Sequence, residues 1–230
     1  MLIVALDVFT FEEAKRIVEA TRSEVSIYKV GLQLLTSEGP KVIHYLRDQG
    51  KDVFLDLKLH EIPNSVASAV KAAGAHGVSM LTVHASGGKN MMEAAVRAAS
   101  VFPNLKILAL TVVTGLTSDD LKEIGFSLES ENLVLRLAKL AESSGCHGVV
   151  ASSQEAKLIK DNLHSEFLIV TPGIRPNGIE AYDQSRIGTP SFALKNGATH
   201  IIVGRPVVQA QDPESAAKAI NLELQSALKA

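Results

Sequence analysis

The chain has 230 residues, room for one large domain or two small ones, and its 46% hydrophobic and 21% charged residues exclude a disordered, collagen-like or coiled-coil protein. Lys and Arg number 23 against 25 Asp and Glu, a formal charge of -2, so no overall basic field draws in nucleic acid; with no Trp and 4% aromatic residues, the stacking platforms of single-strand binders are missing too. The apolar run at 2–6 stops at Asp7 with no basic residue before it, so it reads as neither signal peptide nor membrane span, and a cytoplasmic protein with no membrane partner is expected.

Short apolar, β-branched runs recur at 2–6, 26–30, 53–57, 78–83, 106–110, 148–151, 167–170 and 200–203. Helical periodicity and helix-start signals fill the gaps between them. Thr10-Phe11-Glu12-Glu13 fits a capping box, and Pro63 and Pro213 suit first helical turns, where a missing N–H is harmless. Strands alternating with helices imply right-handed crossovers and a parallel sheet, open or closed. The first strand runs into Asp7-Val8-Phe9-Thr10 and not into a Gly-x-Gly-x-x-Gly turn, and no linker divides the chain. Eight units in this length predict an α/β fold with a single (β/α)8 TIM barrel spanning 1–230.

A barrel places its active site at the C-terminal ends of its strands. Asp7 closes run one, Lys29 lies in run two, Asp56 and Lys58 end run three, and His84 ends run four. Thr111 and Thr114 follow run five, Arg175 follows run seven, and Gly204-Arg205 follow run eight. Cys146, the sole cysteine, forbids an intramolecular disulfide and reads as a buried structural thiol. No His or Glu spacing suggests a zinc or di-iron site. His60 and Glu61 with Asp56 are a conceivable metal set, but Lys58 sits between them, and no metal is expected.

Strand alternation puts Phe54, Asp56 and Lys58 on one face and Val53, Leu55 and Leu57 on the other. If the aliphatic face packs on helices, Asp56 and Lys58 point into the barrel mouth. An ammonium flanked by carboxylates has its charged form favoured, which suits an acid or cation stabiliser and not a Schiff-base amine. The alternative is a buried ion pair that only fixes the strand. Val203-Gly204-Arg205-Pro206 lets a backbone N–H approach an anion while a guanidinium forks onto it, as in the phosphate sites of such barrels; a turn glycine beside a surface arginine is the other reading. The stretch from Thr171 to Arg186 is long for a loop on that rim and reads as a lid or binding loop. His84 reads as a hydrogen-bonded residue orienting its neighbours, with general base as the alternative.

Asp56-Leu57-Lys58-Leu59-His60-Glu61-Ile62-Pro63-Asn64-Ser65 resembles the signature of the orotidine 5′-phosphate decarboxylase family, Asp-x-Lys-x-x-Asp-Ile-Pro-Asn-Thr. Ala5-Leu6-Asp7, Tyr28-Lys29-Val30-Gly31, Thr82-Val83-His84-Ala85, Val170 to Pro176 and Val203-Gly204-Arg205-Pro206 resemble the bacterial form's other blocks, in the same order. The resemblance implies a homodimeric TIM barrel that converts orotidine 5′-monophosphate to uridine 5′-monophosphate and CO2, the final step of UMP synthesis, without metal or organic cofactor. It implies that Lys58 protonates C6, that Asp56 sits near the departing carboxylate, and that Asp7 and Lys29 hold the ribose and complete the charged network. Glu61 and Ser65 match positions that reach the neighbouring subunit's site. Thr114, Pro172, Arg175, Gln184, Gly204 and Arg205 match positions that bind base and phosphate.

Three positions depart from the family pattern. Glu61 stands for aspartate, adding one methylene, about 1.5 Å of reach, so the backbone must shift or the rate suffer. Ser65 stands for threonine and keeps the hydroxyl; Gly115 stands where serine is expected. Loss of CO2 from a pyrimidine C6 leaves a carbanion with little delocalisation, so stabilisation must come from charge already in place. General acid help alone, about 10²–10⁴-fold, is too little. Binding of the remote phosphate by Arg175, Gln184 and Arg205 is therefore expected to drive loop closure and desolvation. The rival readings are a Mg2+-dependent sugar-phosphate lyase of the same superfamily and a non-catalytic nucleotide-phosphate binder.

Overall fold

All eight apolar runs are parallel strands, and each pairs with the next until β8 returns to β1, closing a barrel in the computed structural model, which describes residues 1–176 and 187–229. The order is β1 (Leu2–Ala5), α1 (Phe11–Thr21), β2 (Ile27–Gly31), α2 (Leu32–Glu38), α3 (Lys41–Asp48), β3 (Asp52–Leu59), α4 (Pro63–Ala75), β4 (Met80–His84) and α5 (Lys89–Ala99). It continues with β5 (Lys106–Leu110), α6 (Ser118–Glu123), α7 (Ser130–Ser143), β6 (Gly148–Val150), α8 (Ala156–Asn162), β7 (Leu168–Thr171), α9 (Pro190–Lys195), β8 (His200–Val203), α10 (Arg205–Val208) and α11 (Pro213–Lys229).

The two-residue period of the strands sorts their side chains into two cores. Ile3, Ala5, Ile27, Phe54, Met80, Leu108, Leu110, Val150, Val170 and Ile202 fill the barrel, while Val4, Tyr28, Val53, Leu55, Leu81, Ile107 and Val149 pack outward among the helices. Continuing the inward series carries Asp7, Lys29, Asp56 and Gly204 past the last apolar layer to the C-terminal mouth. There the interior stops being filled and becomes a cavity.

Several start signals take the predicted form. Thr10 accepts from the Glu13 N–H while Glu13 reaches back to the Thr10 N–H, so α1 begins on a full capping box. Pro63 and Pro213 open α4 and α11. The amino terminus donates to the Thr199 carbonyl at 2.8 Å and α11 packs on α1, α9 and α10, which ties the two ends of the chain to the barrel. Cys146 is buried, and burial pushes its thiol up to about 12, which makes it an inert packing group.

The third strand differs from simple alternation. β3 runs on through Lys58 and Leu59, but its pairing with β4 slips: Leu55 stands opposite Leu81 and Leu59 opposite Val83. Lys58 lies in this slipped stretch with φ 51, the one non-glycine positive φ among the described residues. Alternation sends Phe54, Asp56 and Lys58 toward the interior, and what it does not foresee is that Lys58 arrives there within a bulge, on a left-handed backbone.

Candidate active site

A cavity of about 580 Å3 opens at the C-terminal mouth. Asp7, Lys29, Asp56 and Lys58 line one part of its wall; Thr114, Pro172, Gly173, Arg175, Gly204 and Arg205 line another, with Ala5, Leu110, Val150 and Ile202 as apolar lining. Residues from seven of the eight strand ends, all but β4, thus meet on one surface. Site precision here comes from strands and not from loops, because Lys29 and Asp56 lie inside β2 and β3.

The four charged groups alternate in sign along a single string. Lys29 Nζ lies 2.8 Å from Asp7 Oδ1 and 3.9 Å from Asp56 Oδ2, and Lys58 Nζ lies 2.8 Å from the same Asp56 Oδ2. Lys29 and Asp56 are each 8% exposed, and the Lys58 side chain is a third exposed toward the cavity. Burying one such charge without a partner is costly, and the alternation is what makes two ammonium groups tolerable this deep. Gly31 leaves the room: a Cβ there would stand 2.9 Å from Lys29 Nζ and 3.2 Å from Asp7 Oδ1.

Lys58 holds a backbone conformation that costs a residue with a side chain about 1–3 kcal/mol, and such strain concentrates at functional sites. Its N–H donates to Thr82 Oγ1 at 2.8 Å. Farther along the cavity wall, Arg175 is buried and its Nη1 donates to the Ile174 carbonyl at 2.9 Å, while Arg205 opens α10 directly after Gly204. The stems of the loop after β7 meet where Arg175 N–H donates to the Gly188 carbonyl and Gly188 N–H to the Gly173 carbonyl. Gln184, and with it the 177–186 portion of the expected lid or binding loop, lies outside the described residues.

Glu61 and Ser65, matched to site positions from the sequence, do not line this cavity, and neither do the rim residues His84 and Thr111. Glu61 is exposed just past β3 and accepts from the Ile62 N–H at 2.8 Å; Ser65 sits half-buried in the first turn of α4. Beside them Ile62 is 62% exposed. His84 stacks on His60 with centroids 5.2 Å apart, and its Nδ1 is 3.3 Å from Ser86 Oγ. Burial, then His60 and Lys58, pushes its pKa below the ordinary histidine value, against a smaller upward pull from Asp56. That leaves it neutral beside the charged string. Among the described residues, no three His, Cys, Asp or Glu side chains form a set that could hold a metal ion.

Sequence reading missed Phe9, Gln33, Val113 and Gln209, all of which line the cavity. Gln209 was within reach: it follows Arg205 by four residues, so one helical turn carries both to the same side. Gln33 and Phe9 follow strand ends, the position that marks rim residues in a barrel, but neither carries a charge to draw notice.

A closed parallel barrel with a charged cavity at the C-terminal ends of its strands defines the class: a TIM-barrel enzyme. The chain belongs to the orotidine 5′-phosphate decarboxylase / HUMPS family, whose model matches residues 1–220. Proteins named orotidine 5′-phosphate decarboxylase from Chromohalobacter salexigens and Moorella thermoacetica are 47% and 42% identical to it. The first match covers 97% of this chain and 95% of the relative, the second 97% and 92%. The crystal structure of orotidine 5′-phosphate decarboxylase from Lactobacillus acidophilus superposes with a TM-score of 0.87 at 37% identity, covering 97% of this chain and 98% of that one. The corresponding structure from Pyrococcus horikoshii gives 0.80 at 27% identity, covering 98% and 99%.

Proposed function

We propose that this protein decarboxylates orotidine 5′-monophosphate to uridine 5′-monophosphate and CO2, with the Lys58 ammonium as the proton donor to C6. The observation that carries the reading is the string Asp7, Lys29, Asp56, Lys58, which ends in an ammonium 2.8 Å from a buried carboxylate on the wall of a cavity that two arginines also line. Membership of the family and the names of the relatives support the substrate.

In this mechanism the C6–carboxylate bond breaks, CO2 departs, and the electron pair left on C6 takes a proton from Lys58 Nζ; water later restores the lysine proton. The substrate carboxylate would enter beside Asp56, where like charge disfavours the ground state and the neutral product CO2 relieves it. Lys58 supplies both the positive charge against which the carbanion develops and the proton that quenches it, so the reading calls for no metal or organic cofactor. Asp7 and Lys29 hold the ribose, Thr114 and Pro172 face the base, and Arg175, Gly204 and Arg205, with Gln184, grip the phosphate.

The same reading makes the enzyme a cytoplasmic homodimer built from one domain spanning 1–230, in which Glu61 and Ser65 complete the neighbouring site. The exposure of Glu61 and Ile62 outside the cavity of their own subunit supports that placement. None of the described helices is long and apolar enough to cross a membrane.

The test is to follow loss of orotidine 5′-monophosphate absorbance in EDTA with the wild type and with Lys58→Ala. Turnover by the wild type and a loss of more than about 10⁴-fold in the variant are expected, beyond what a single acid group alone gives and in line with charge stabilisation added to it. Full activity in EDTA would exclude a Mg2+-dependent sugar-phosphate lyase, a wild type that binds uridine 5′-monophosphate without turnover would select a nucleotide binder, and an unimpaired Lys58→Ala would reject the assigned acid.

A further inference from the structure

Thr82 lies in the middle of β4, on the inward side between Met80 and His84, and is 0% exposed. It does not line the cavity. Across from it, β3 advances four residues, Leu55 to Leu59, while β4 advances two, Leu81 to Val83. The regular ladder therefore offers nothing to the Lys58 N–H, and a buried N–H needs a partner. Thr82 Oγ1 takes it at 2.8 Å. The same Oγ1 stands 2.9 Å from Asp56 Oδ1.

The direction of both bonds is fixed. A backbone N–H can only donate, so the hydroxyl accepts there, and its one proton is left for the Asp56 carboxylate, which accepts. One hydroxyl thus ties the left-handed backbone of Lys58 to the carboxylate whose other oxygen holds the Lys58 ammonium at 2.8 Å. The loop closes on itself: Lys58 N–H, Thr82 Oγ1, Asp56 Oδ1, Asp56 Oδ2, Lys58 Nζ. Asp56 Oδ2 faces Lys29 as well, so with Thr82 in place neither carboxylate oxygen is without a partner.

We infer that Thr82 is a positioning residue for the reaction: its hydroxyl holds Lys58 in its positive-φ conformation and fixes the rotation of Asp56, so that the lysine ammonium stands at one place in the cavity. The inference rests on the decarboxylase reading for its kinetic consequence but not for its geometry.

Two variants separate this from packing. Thr82→Val keeps the shape and deletes the hydroxyl; Thr82→Ser keeps the hydroxyl and leaves a methyl-sized void. With orotidine 5′-monophosphate, Thr82→Val is expected to lose about 100-fold in kcat, the scale of a 1 Å misplacement of a reacting group, with KM changed by less than about threefold. Thr82→Ser is expected to stay within about fivefold of wild type on the same scale. A residue that only packs gives the reverse order, and that result, or wild-type kcat in Thr82→Val, overturns the inference. If Thr82→Val does not fold, Thr82→Ser decides: a loss near 100-fold there overturns it. Crystal structures of the variants need no substrate. Lys58 is expected to leave positive φ, or Asp56 to rotate away from Lys58, in Thr82→Val and in neither respect in Thr82→Ser; unchanged geometry in Thr82→Val overturns the inference. A wild type inert toward orotidine 5′-monophosphate would overturn the decarboxylase reading, while this structural arm would still decide the role of Thr82.

Discussion

The two ends of the barrel bury ionisable groups in opposite ways. At the C-terminal mouth, Lys29 and Lys58 are buried or half-buried with a carboxylate within 2.8 Å of each. At the N-terminal end, His200 begins β8 and His147 directly precedes β6, both in cationic surroundings. Burial first, then the amino terminus and Lys106, pushes His200 down to about 4; burial and Lys106 push His147 down as well. The mouth thus pairs each ammonium with a carboxylate, whereas the base sets its histidines among like charges, which disfavours their charged form. One fold thus makes a reactive end and an inert end, and Lys29 at the one and His200 at the other are equally buried, each 8% exposed. What differs is whether an acidic residue follows the apolar layer.

Removing the shared carboxylate should break this contrast most severely. Asp56→Asn leaves Lys29 with Asp7 but deprives Lys58 of its partner, making the mouth resemble the base. A fall in kcat of about 10²–10³-fold on orotidine 5′-monophosphate is expected, the range for losing one preorganised electrostatic group. Asp7→Asn should do less, because Asp7 has a half-exposed side chain and leaves the Asp56–Lys58 pair intact. Steady-state kinetics of both variants checks the ranking, and equal losses would show that the string acts through total charge and not through placement.

The phosphate grip tests whether the mouth works as one unit. Orotidine lacking its 5′-phosphate should react with kcat lowered about 100-fold or more, since binding energy at Arg175 and Arg205 is proposed to drive steps at the ring. If the nucleoside merely showed a higher KM with kcat unchanged, the remote groups would contribute uniform binding only.

At the base the expected signature is in stability and not in rate. His200 has its folded-state pKa near 4 against 6.5 for the free group, so as pH falls the unfolded chain takes up the proton first. The stabilisation is whole above about pH 6.5 and is lost between there and pH 4, amounting to no more than about 3 kcal/mol. Urea midpoints of wild type and His200→Gln, measured from pH 7.5 to 4.5, should converge as the pH drops. Parallel curves would mean that His200 takes up its proton at the same pH in the folded and the unfolded chain.

The strands, their order and the inward charges were legible in the sequence because each rests on a local rule: a period of two, a capping box at Thr10, prolines at helix starts, and acidic or basic residues just past an apolar run. What escaped depends on long-range pairing. Regular alternation already sends Lys58 toward the mouth, so nothing local signals the slip against β4 that gives it positive φ, nor that Thr82, 24 residues on, accepts its N–H. Glu61 and Ser65 are legible only as motif positions, since one chain brings neither to its own cavity. Neutral lining residues such as Gln33 and Phe9 give no chemical signal until the walls are assembled.

Glycines give the finest comparison of the two ends, because the same added methyl meets different neighbours. At the base, a Cβ on Gly148 would lie 2.4 Å from the Leu168 carbonyl oxygen and 2.5 Å from Leu168 Cβ, atoms fixed by the pairing of β6 with β7. Strand backbone cannot yield, so Gly148→Ala should destabilise by about 1–3 kcal/mol, as overpacking does, while leaving KM and kcat of the folded fraction unchanged. At the mouth, a Cβ on Gly31 would meet the tip of Lys29 at 2.9 Å, a flexible group that can move a few tenths of an ångström. Gly31 has φ -100, so alanine introduces no backbone strain there, and the stability change should stay within about 0.5 kcal/mol. The displaced ammonium shifts against both Asp7 and Asp56, however, and a loss of several-fold in kcat/KM is expected. Thermal melts and initial rates of the two variants should therefore dissociate: stability falling without activity at Gly148, activity falling without stability at Gly31. Loss of both properties together at Gly31 would mean that the charged string also holds the barrel closed, and the division between a reactive and an inert end would fail there.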